Sequence, residues 1–137
     1  VRPLDPGDPI GWTRRMNNPE VTMQQTARKT GFDALDKAIE AASLAINIVK
    51  RVPAPLKPIA DQVNRSAASV PANLAEGRGR TGRDRLHHWR IAYGSAREVD
   101  THLQLLIGAG AVDVSRADEA IRLFDDIRAM TWRALLP

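Results

Sequence analysis

One short segment of the chain is unusually rich in arginine. It runs from Arg78 to Arg85 and reads RGRTGRDR, with further basic residues just beyond it. Guanidinium groups make planar, paired hydrogen bonds to phosphate oxygens, and the exposed amides of a helix N-terminus also favour anions. The segment therefore predicts contact with RNA or another nucleic acid, and a solvated loop without a ligand is the alternative. The residues predicted to contact nucleic acid are Arg78, Arg80, Arg83, Arg85, His88 and Arg90.

Two pairs of arginine and histidine offer a catalytic alternative. Arg83 precedes His88 and Arg97 precedes His102, each with four residues between them, which is similar to the spacing in the HEPN-type ribonucleases. In such an enzyme arginine would stabilise a pentavalent phosphorane, and histidine would transfer a proton between the attacking 2′-hydroxyl and the leaving oxygen. Arg97 and His102 are the better pair if they share a helical face. Such pairs also arise by chance in a chain with 20 lysine and arginine residues.

Metal and thiol chemistry find little support in the sequence. Glu98 and His102 stand four residues apart and could both contribute ligands in a helical bundle. A dinuclear bundle site also needs matching carboxylates and histidines from the other helices, and these are missing. The chain contains no cysteine, which excludes disulfide bonds, thiolate catalysis and cysteine-ligated metals. We therefore expect neither a metal nor a cofactor.

The overall composition is that of one compact domain. The chain has 137 residues, of which 43% are hydrophobic and 26% charged, and its formal net charge is +4. This length suffices to bury a core, and the positive charge favours a nucleic-acid partner. No apolar run approaches the roughly 20 residues that span a bilayer, and the first residues lack a signal-peptide core. We therefore expect a cytoplasmic protein without a membrane partner.

Helical periodicity begins at Phe32 and predicts four helices separated by proline and glycine. The expected bounds are Phe32 to about Val52, Leu56 to Glu76, Thr81 to Gly108, and a last helix capped by Ser115. Gly77, Gly79 and Gly82 are expected to end the second helix and form a turn. Residues 29–137 should thus form an all-α, antiparallel up-down four-helix bundle. Residues 1–28, with four prolines and no periodicity, are expected to form a flexible N-terminal arm.

Apolar residues at alternating steps of three and four place one stripe on each helix. Further apolar residues lie off these stripes, and they indicate either a surface for assembly or a fuller intrachain core. The predicted stripes are Phe32, Leu35, Ile39, Ala42, Ile46 and Val49; Trp89, Ala92, Ala96, Val99, Leu103 and Leu106; and Ala117, Ala120, Phe124, Ile127, Thr131 and Ala134. The residues off the stripes are Leu44, Ile48, Ile91, Tyr93, Leu105 and Ile107.

Pro71 interrupts the second helix. Because it lacks an amide hydrogen and its ring crowds the carbonyl of Ala67, we expect a kink that costs about 3 kcal/mol. Ser69, Asn73 and Ser95 are expected to bond to the freed carbonyl groups.

The acids near this proline are expected to complete a partly buried polar network. Glu76 and Glu98 could pair with Arg65, Arg90 or Arg97. A catalytic role for Asn73, Glu76 and Glu98 is the alternative, although no nucleophile accompanies them. The residues assigned to this structural motif are Arg65, Ser69, Pro71, Asn73, Glu76, Gly77, Gly94, Ser95 and Glu98.

Four stretches of this region resemble one known family. They are Arg65-Ser66-Ala67, Ser69-Val70-Pro71-Ala72-Asn73, Ala75-Glu76-Gly77 and Ile91-Ala92-Tyr93-Gly94-Ser95-Ala96-Arg97-Glu98. The chain from Phe32 to Leu136 is similar to the bacterial proteins encoded in intervening sequences of 23S ribosomal RNA genes, a family related to accessory proteins of diversity-generating retroelements. The resemblance implies a four-helix bundle and a closed homopentamer with a central pore.

The chain departs from that family just before the third helix. Relatives usually carry acidic and aromatic residues there, whereas this chain has Arg83, Arg85, His87 and His88. The departure makes the loop unusually basic.

Together, the residues and the resemblance favour a noncatalytic homo-oligomeric scaffold. Its basic, arginine-rich surfaces would bind RNA, or a nucleic-acid enzyme such as the reverse transcriptase that the resemblance to retroelement accessory proteins implies. The two alternatives are a HEPN-like ribonuclease and an adaptor that binds only proteins.

Overall fold

The described part of the chain is mostly α-helical. The computed structural model describes residues 29–137, so the predicted arm of residues 1–28 lies outside the described part. The helices are α1 (Asp33–Ile48), α2 (Lys57–Arg78), α3 (Gly82–Gly108) and α4 (Val114–Leu135), with a short 3₁₀ helix at Ala54–Leu56. Residues 29–137 contain no β-strand. The predictions of an all-α fold and of four helices are confirmed.

The connection between α1 and α2 begins earlier than predicted. α1 ends at Ile48, four residues before the expected end at Val52, and the chain continues through turns. Val52 precedes Pro53, and a residue before proline is driven out of the helical region. Pro58 then lies in the first turn of α2, where the missing amide hydrogen costs no helical hydrogen bond.

The four helices contact one another in a closed ring. α1 packs on α2, α2 on α3, α3 on α4, and α4 returns to α1. The predicted α3 stripe is confirmed from Ala92 to Leu106, and only Trp89 at its start is half-buried. On α4 the stripe is buried from Ala117 to Thr131, but Ala134 is exposed. The largest fully buried side chain is Phe124 of α4.

The prediction for α1 is partly wrong. Ile46 is 36% exposed, whereas Ile48, which was expected to lie off the stripe, is buried. The buried face is instead built mainly from alanine, whose small side chain allows two neighbouring helices to approach closely. These buried alanines are Ala34, Ala38, Ala41, Ala42 and Ala45.

α2 is a single helix that includes Pro71. Asn73 donates from Nδ2 to the carbonyl of Ser69 at 2.9 Å, so its side chain does not bond to the Ala67 carbonyl as expected. The kink at Pro71 stays a prediction. No helix within residues 29–137 combines the length and the apolar character that crossing a membrane requires.

The N-terminus of α4 is capped by Asp113 and not by Ser115. The Asp113 carboxylate accepts a hydrogen bond from the amide of Arg116 at 3.0 Å, and Ser115 lies within the helix. Both residues are typical caps, and the sequence prediction chose the one two positions too late.

Replacing Asp113 with alanine should therefore lower the free energy of unfolding by about 1 kcal/mol, because the Arg116 amide loses its acceptor. The matched control, Ser115→Ala, should change it by less than about 0.5 kcal/mol. Urea denaturation followed by circular dichroism measures both values. A larger loss for the serine variant would contradict the assignment of the cap.

Candidate nucleic-acid interface

The basic segment forms the turn between α2 and α3. α2 ends at Arg78 with Gly79 as its C-cap, and α3 begins at Gly82, whose φ of +58° favours glycine. The prediction that Gly77 ends α2 is wrong, because Gly77 is helical and buried. A Cβ atom there would lie 2.6 Å from Cδ1 and Nε1 of Trp89, so the missing side chain lets the indole of α3 pack on α2.

Two of the predicted arginines bind backbone carbonyls at this end of the bundle. Arg78 donates from Nη1 to the carbonyl of Thr30 at 3.0 Å, and its guanidinium lies 5.5 Å from the centre of the Phe32 ring. Arg85 donates from Nε to the carbonyl of Gly77 at 3.0 Å and from Nη2 to that of Arg78 at 3.2 Å. The carbonyls of Gly77 and Arg78 belong to the last turn of α2, where acceptors lack the amide partner four residues later. Both side chains therefore have a structural role.

Arg80 is also paired within the turn. Its guanidinium contacts Glu76 Oε1 at 2.5 Å and Asp84 Oδ2 at 2.8 Å. The hydrogen bonds to Glu76, and then those to Asp84, raise the pKa of Arg80 above its usual value. The two carboxylates offset its charge, so Arg80 contributes less to the positive field than the sequence suggested.

Three arginines form an exposed stripe along α3. Arg83, Arg90 and Arg97 follow one another at seven-residue intervals, which places them on one face of the helix, and all three are exposed. Their guanidinium groups have no ion-pair partner among residues 29–137. We call these residues the α3 arginine stripe. The sequence prediction included Arg83 and Arg90 but not Arg97, although the heptad spacing was available to find it.

His88, the last predicted contact residue, is half-buried and points toward α2. Its Nδ1 lies 3.1 Å from Asn73 Oδ1, and its Nε2 lies 3.9 Å from Asp84 Oδ1. The neighbouring His87 is exposed. His88 thus joins the polar contacts between the two helices, while its neighbour faces solvent.

Polar side chains connect α2 and α3 along their length. Ser95 donates to the hydroxyl of Ser69 at 2.8 Å, and Asn73 Nδ2 lies 3.0 Å from the same hydroxyl. Farther along, the buried Ser66 donates to Glu98 Oε2 at 2.9 Å. Ser69, Asn73 and Ser95 are thus linked to one another by side-chain hydrogen bonds, whereas they were expected to bond to the carbonyl groups freed by Pro71. The sequence prediction did not assign Ser66.

The predicted arginine partners of the two acids are wrong. Glu76 pairs with Arg80, which stands four residues later in the chain, and Glu98 accepts a hydrogen bond from Ser66 on the neighbouring helix. Arg65, like the α3 arginine stripe, is exposed and makes no ion pair within the described residues. Gly94 is exposed and Pro71 half-buried, so neither of these motif residues belongs to the polar network.

The spacing of the two arginine and histidine pairs does not place them on a common face. Both pairs lie within α3, and five residues correspond to about 140° around a helix axis. His102 Nδ1 lies 2.8 Å from the carbonyl of Glu98, and His88 contacts Asn73 and Asp84. Over residues 29–137 no group of three or more histidine, aspartate or glutamate side chains is arranged to hold a metal ion.

Comparisons with known proteins support the four-helix fold and show the family of the chain. A family model described as 23S rRNA-intervening sequence protein matches residues 31–133. A crystal structure of a protein with unknown function from the S23 ribosomal protein family of Bacteroides thetaiotaomicron has the same fold, with a TM-score of 0.68 and 24% identity over 75% of this chain and 95% of that one. No curated protein matches the chain significantly. Because the family model covers most of its length, the chain belongs to the 23S rRNA-intervening sequence protein family.

Proposed function

We propose that the protein is a noncatalytic homo-oligomeric scaffold that binds RNA in the cytoplasm. The observation that carries the proposal is the α3 arginine stripe, in which Arg83, Arg90 and Arg97 are exposed on one helical face. Seven residues span about 10 Å along a helix, so the stripe extends over about 21 Å. A row of separate cations of this length suits the phosphate backbone of a nucleic acid.

The turn beside the stripe supports the same role. Residues 78–90 contain five arginines and one aspartate. Because Arg85 binds the carbonyls of Gly77 and Arg78, the start of α3, which carries Arg83, is held against the end of α2. Contacts between arginine side chains and phosphates position a nucleic acid without reading its base sequence.

The proposed bundle is antiparallel. Contacts between α2 and α3 run from Asn73 with His88 to Ser66 with Glu98, so residue numbers fall on one helix as they rise on the other. On the α3 and α4 pair, Tyr93 meets Trp132 whereas Asp100 meets Arg128. These contacts support the up-down arrangement of the helices.

We further propose that the bundles assemble through α3, as the homopentamer of similar proteins suggests. Ile91 is 37% and Leu105 52% exposed, and fourteen residues place both on one helical face. Exposed apolar side chains at this spacing suit a repeated helix contact. Assembly would present several arginine stripes to one RNA, so that weak contacts add. An RNA-bound enzyme such as a reverse transcriptase is the protein partner that this arrangement would serve.

The double variant Arg83→Gln/Arg90→Gln tests RNA binding. Its affinity for a fluorescent RNA hairpin, measured by anisotropy at about 50 mM salt, should fall roughly tenfold or more, because two phosphate contacts are lost. The slope of affinity against salt should also decrease, by about one for each contact.

The matched control is Arg51→Gln/Arg122→Gln, which removes the same charge at two other exposed positions. It should retain most of the wild-type affinity. An equal loss in both double variants would reduce the effect to net charge, and a wild-type protein that binds no hairpin at low salt would refute the proposal.

A further inference from the structure

A groove with mixed aromatic and basic walls opens between α3 and the end of α4. Its volume is about 410 Å³, and it is lined by Arg90, Tyr93 and Arg97 of α3, by Trp132 of α4 and by Leu136 just beyond the end of α4. Trp132 is 53% and Leu136 52% exposed, which is unusual for such large apolar side chains. No carboxylate from residues 29–137 lines the groove.

The two aromatic residues form a pair at the wall. The ring centres of Tyr93 and Trp132 are 5.8 Å apart, with 44° between the ring planes. Tyr93 is half-buried and supports the indole, while more than half of Trp132 remains accessible. A supported, accessible indole is the kind of surface on which an unpaired base stacks.

Gly94 leaves the groove open on the α3 side. A Cβ atom at this position would have no neighbouring atom within 4 Å, so packing does not require a glycine there. Glycine also weakens the interior of a helix. The lack of a side chain exposes the backbone between Tyr93 and Arg97 and leaves space for a flat ligand.

The groove keeps its positive charge, in contrast to its neighbour. An adjacent cavity on the other side of Trp132 contains Arg128, which is paired with Asp100 and Asp125. Arg90 and Arg97 have no such partners among residues 29–137, so both guanidinium groups are available to phosphates. Their seven-residue separation, about 10 Å along the axis, suits two phosphates of one strand better than the single phosphate group of a free nucleotide.

We propose that this groove binds an unpaired nucleotide of an RNA strand. The base stacks against Trp132 and Tyr93 over the bare backbone at Gly94, and the flanking phosphates contact Arg90 and Arg97. The inference rests on the proposed RNA binding and adds a preference for single-stranded segments, which the arginine stripe alone does not confer.

Filling the groove provides the test. Gly94→Leu places a side chain in the open space, and the matched control Gly108→Leu makes the same change at another α3 glycine with open surroundings. Affinities are measured for a labelled ten-nucleotide oligouridylate and for the RNA hairpin. We expect Gly94→Leu to weaken oligouridylate binding roughly tenfold or more and hairpin binding less than about twofold, with no change for Gly108→Leu. Trp132→Leu should reproduce the loss, since it removes the stacking surface.

The other outcomes separate this inference from the proposed function. If both groove variants keep the wild-type affinity for oligouridylate while Arg83→Gln weakens hairpin binding, the groove assignment is wrong and the RNA scaffold stands. If the wild-type protein binds neither RNA, both the groove assignment and the RNA scaffold are wrong. Uridine monophosphate is tested as a competitor at a concentration equal to that of the nucleotide units of the oligouridylate. If it displaces the oligouridylate, the groove binds free nucleotides instead. A changed oligomeric mass for Gly94→Leu would assign it to a contact between copies.

Discussion

Replacing Gly77 with valine is expected to lower the free energy of unfolding by about 3 kcal/mol. The new Cβ atom would lie 2.6 Å from two atoms of the Trp89 ring and 3.1 Å from the carbonyl oxygen of Arg85. Neither neighbour is the free end of a flexible side chain, so the two helices must separate or the indole must leave its position. Overpacking of this kind costs about 1–3 kcal/mol, and a β-branched residue gains little helix propensity to offset it.

The loss at Gly77 should extend beyond the glycine itself. Trp89 donates to the carbonyl of Leu74 at 3.4 Å, and its ring centre lies 6.1 Å from that of Phe32. Displacing the indole would weaken both contacts, and Arg85, whose guanidinium lies 5.5 Å from the Trp89 ring centre, would lose its support. The α2–α3 turn should therefore loosen in the same variant.

The control for this prediction is a second helical glycine. Gly94→Ala adds a methyl group into open space and improves helix propensity, so it should raise the free energy of unfolding by up to about 1 kcal/mol. Urea denaturation of the two variants gives the comparison. Equal effects of the same sign would show that the buried contact with Trp89 does not decide the outcome.

Replacing Leu105 with lysine is expected to reduce the proposed oligomer to single chains. Leu105 is 52% exposed on the proposed contact face of α3, and a lysine there would bring a charge into each contact between copies. Because a closed ring repeats the contact, one substitution damages every interface at once. Light scattering should show a mass near five chains for the wild-type protein and near one for the variant.

Val114→Lys makes the same chemical change at a residue that is 53% exposed and belongs to α4 instead of α3. It should leave the mass unchanged. Both substituted positions are exposed and contribute little to the core. Circular dichroism should therefore show equal helicity in the two variants. A wild-type protein that is already a single chain would remove the proposed assembly, and a drop in mass for Val114→Lys alone would move the contact to α4.

The fold was predictable because long apolar repeats outweigh local detail. The α3 stripe from Ala92 to Leu106 is fully buried, as its three-four spacing indicated. α1 was harder, because its buried face consists largely of alanine and a pattern of larger residues placed Ile46 inside. Alanine is too weakly hydrophobic to mark a face in a single sequence, although it permits the closest helix contact.

The site was less predictable because its contacts depend on tertiary packing. The basic segment was found from composition. The four-residue spacing that joins Arg80 to Glu76 and to Asp84 was also present in the sequence, as was the seven-residue spacing of the exposed arginines, although neither was used. The contacts between helices were not visible there, since the groove brings Tyr93 together with Trp132 from another helix.

The contact between Arg78 and Thr30 also determines where a reporter can be attached. It holds the chain that leads into α1 against the end of α2, so a fluorescent protein joined ahead of residue 29 would start beside the basic turn. Gly110, with φ at +68°, lies just past the opposite end of α3, a helix of 27 residues and about 40 Å. A small peptide tag inserted there would be far from Arg83 and would leave the turn sterically accessible to the proposed RNA partner.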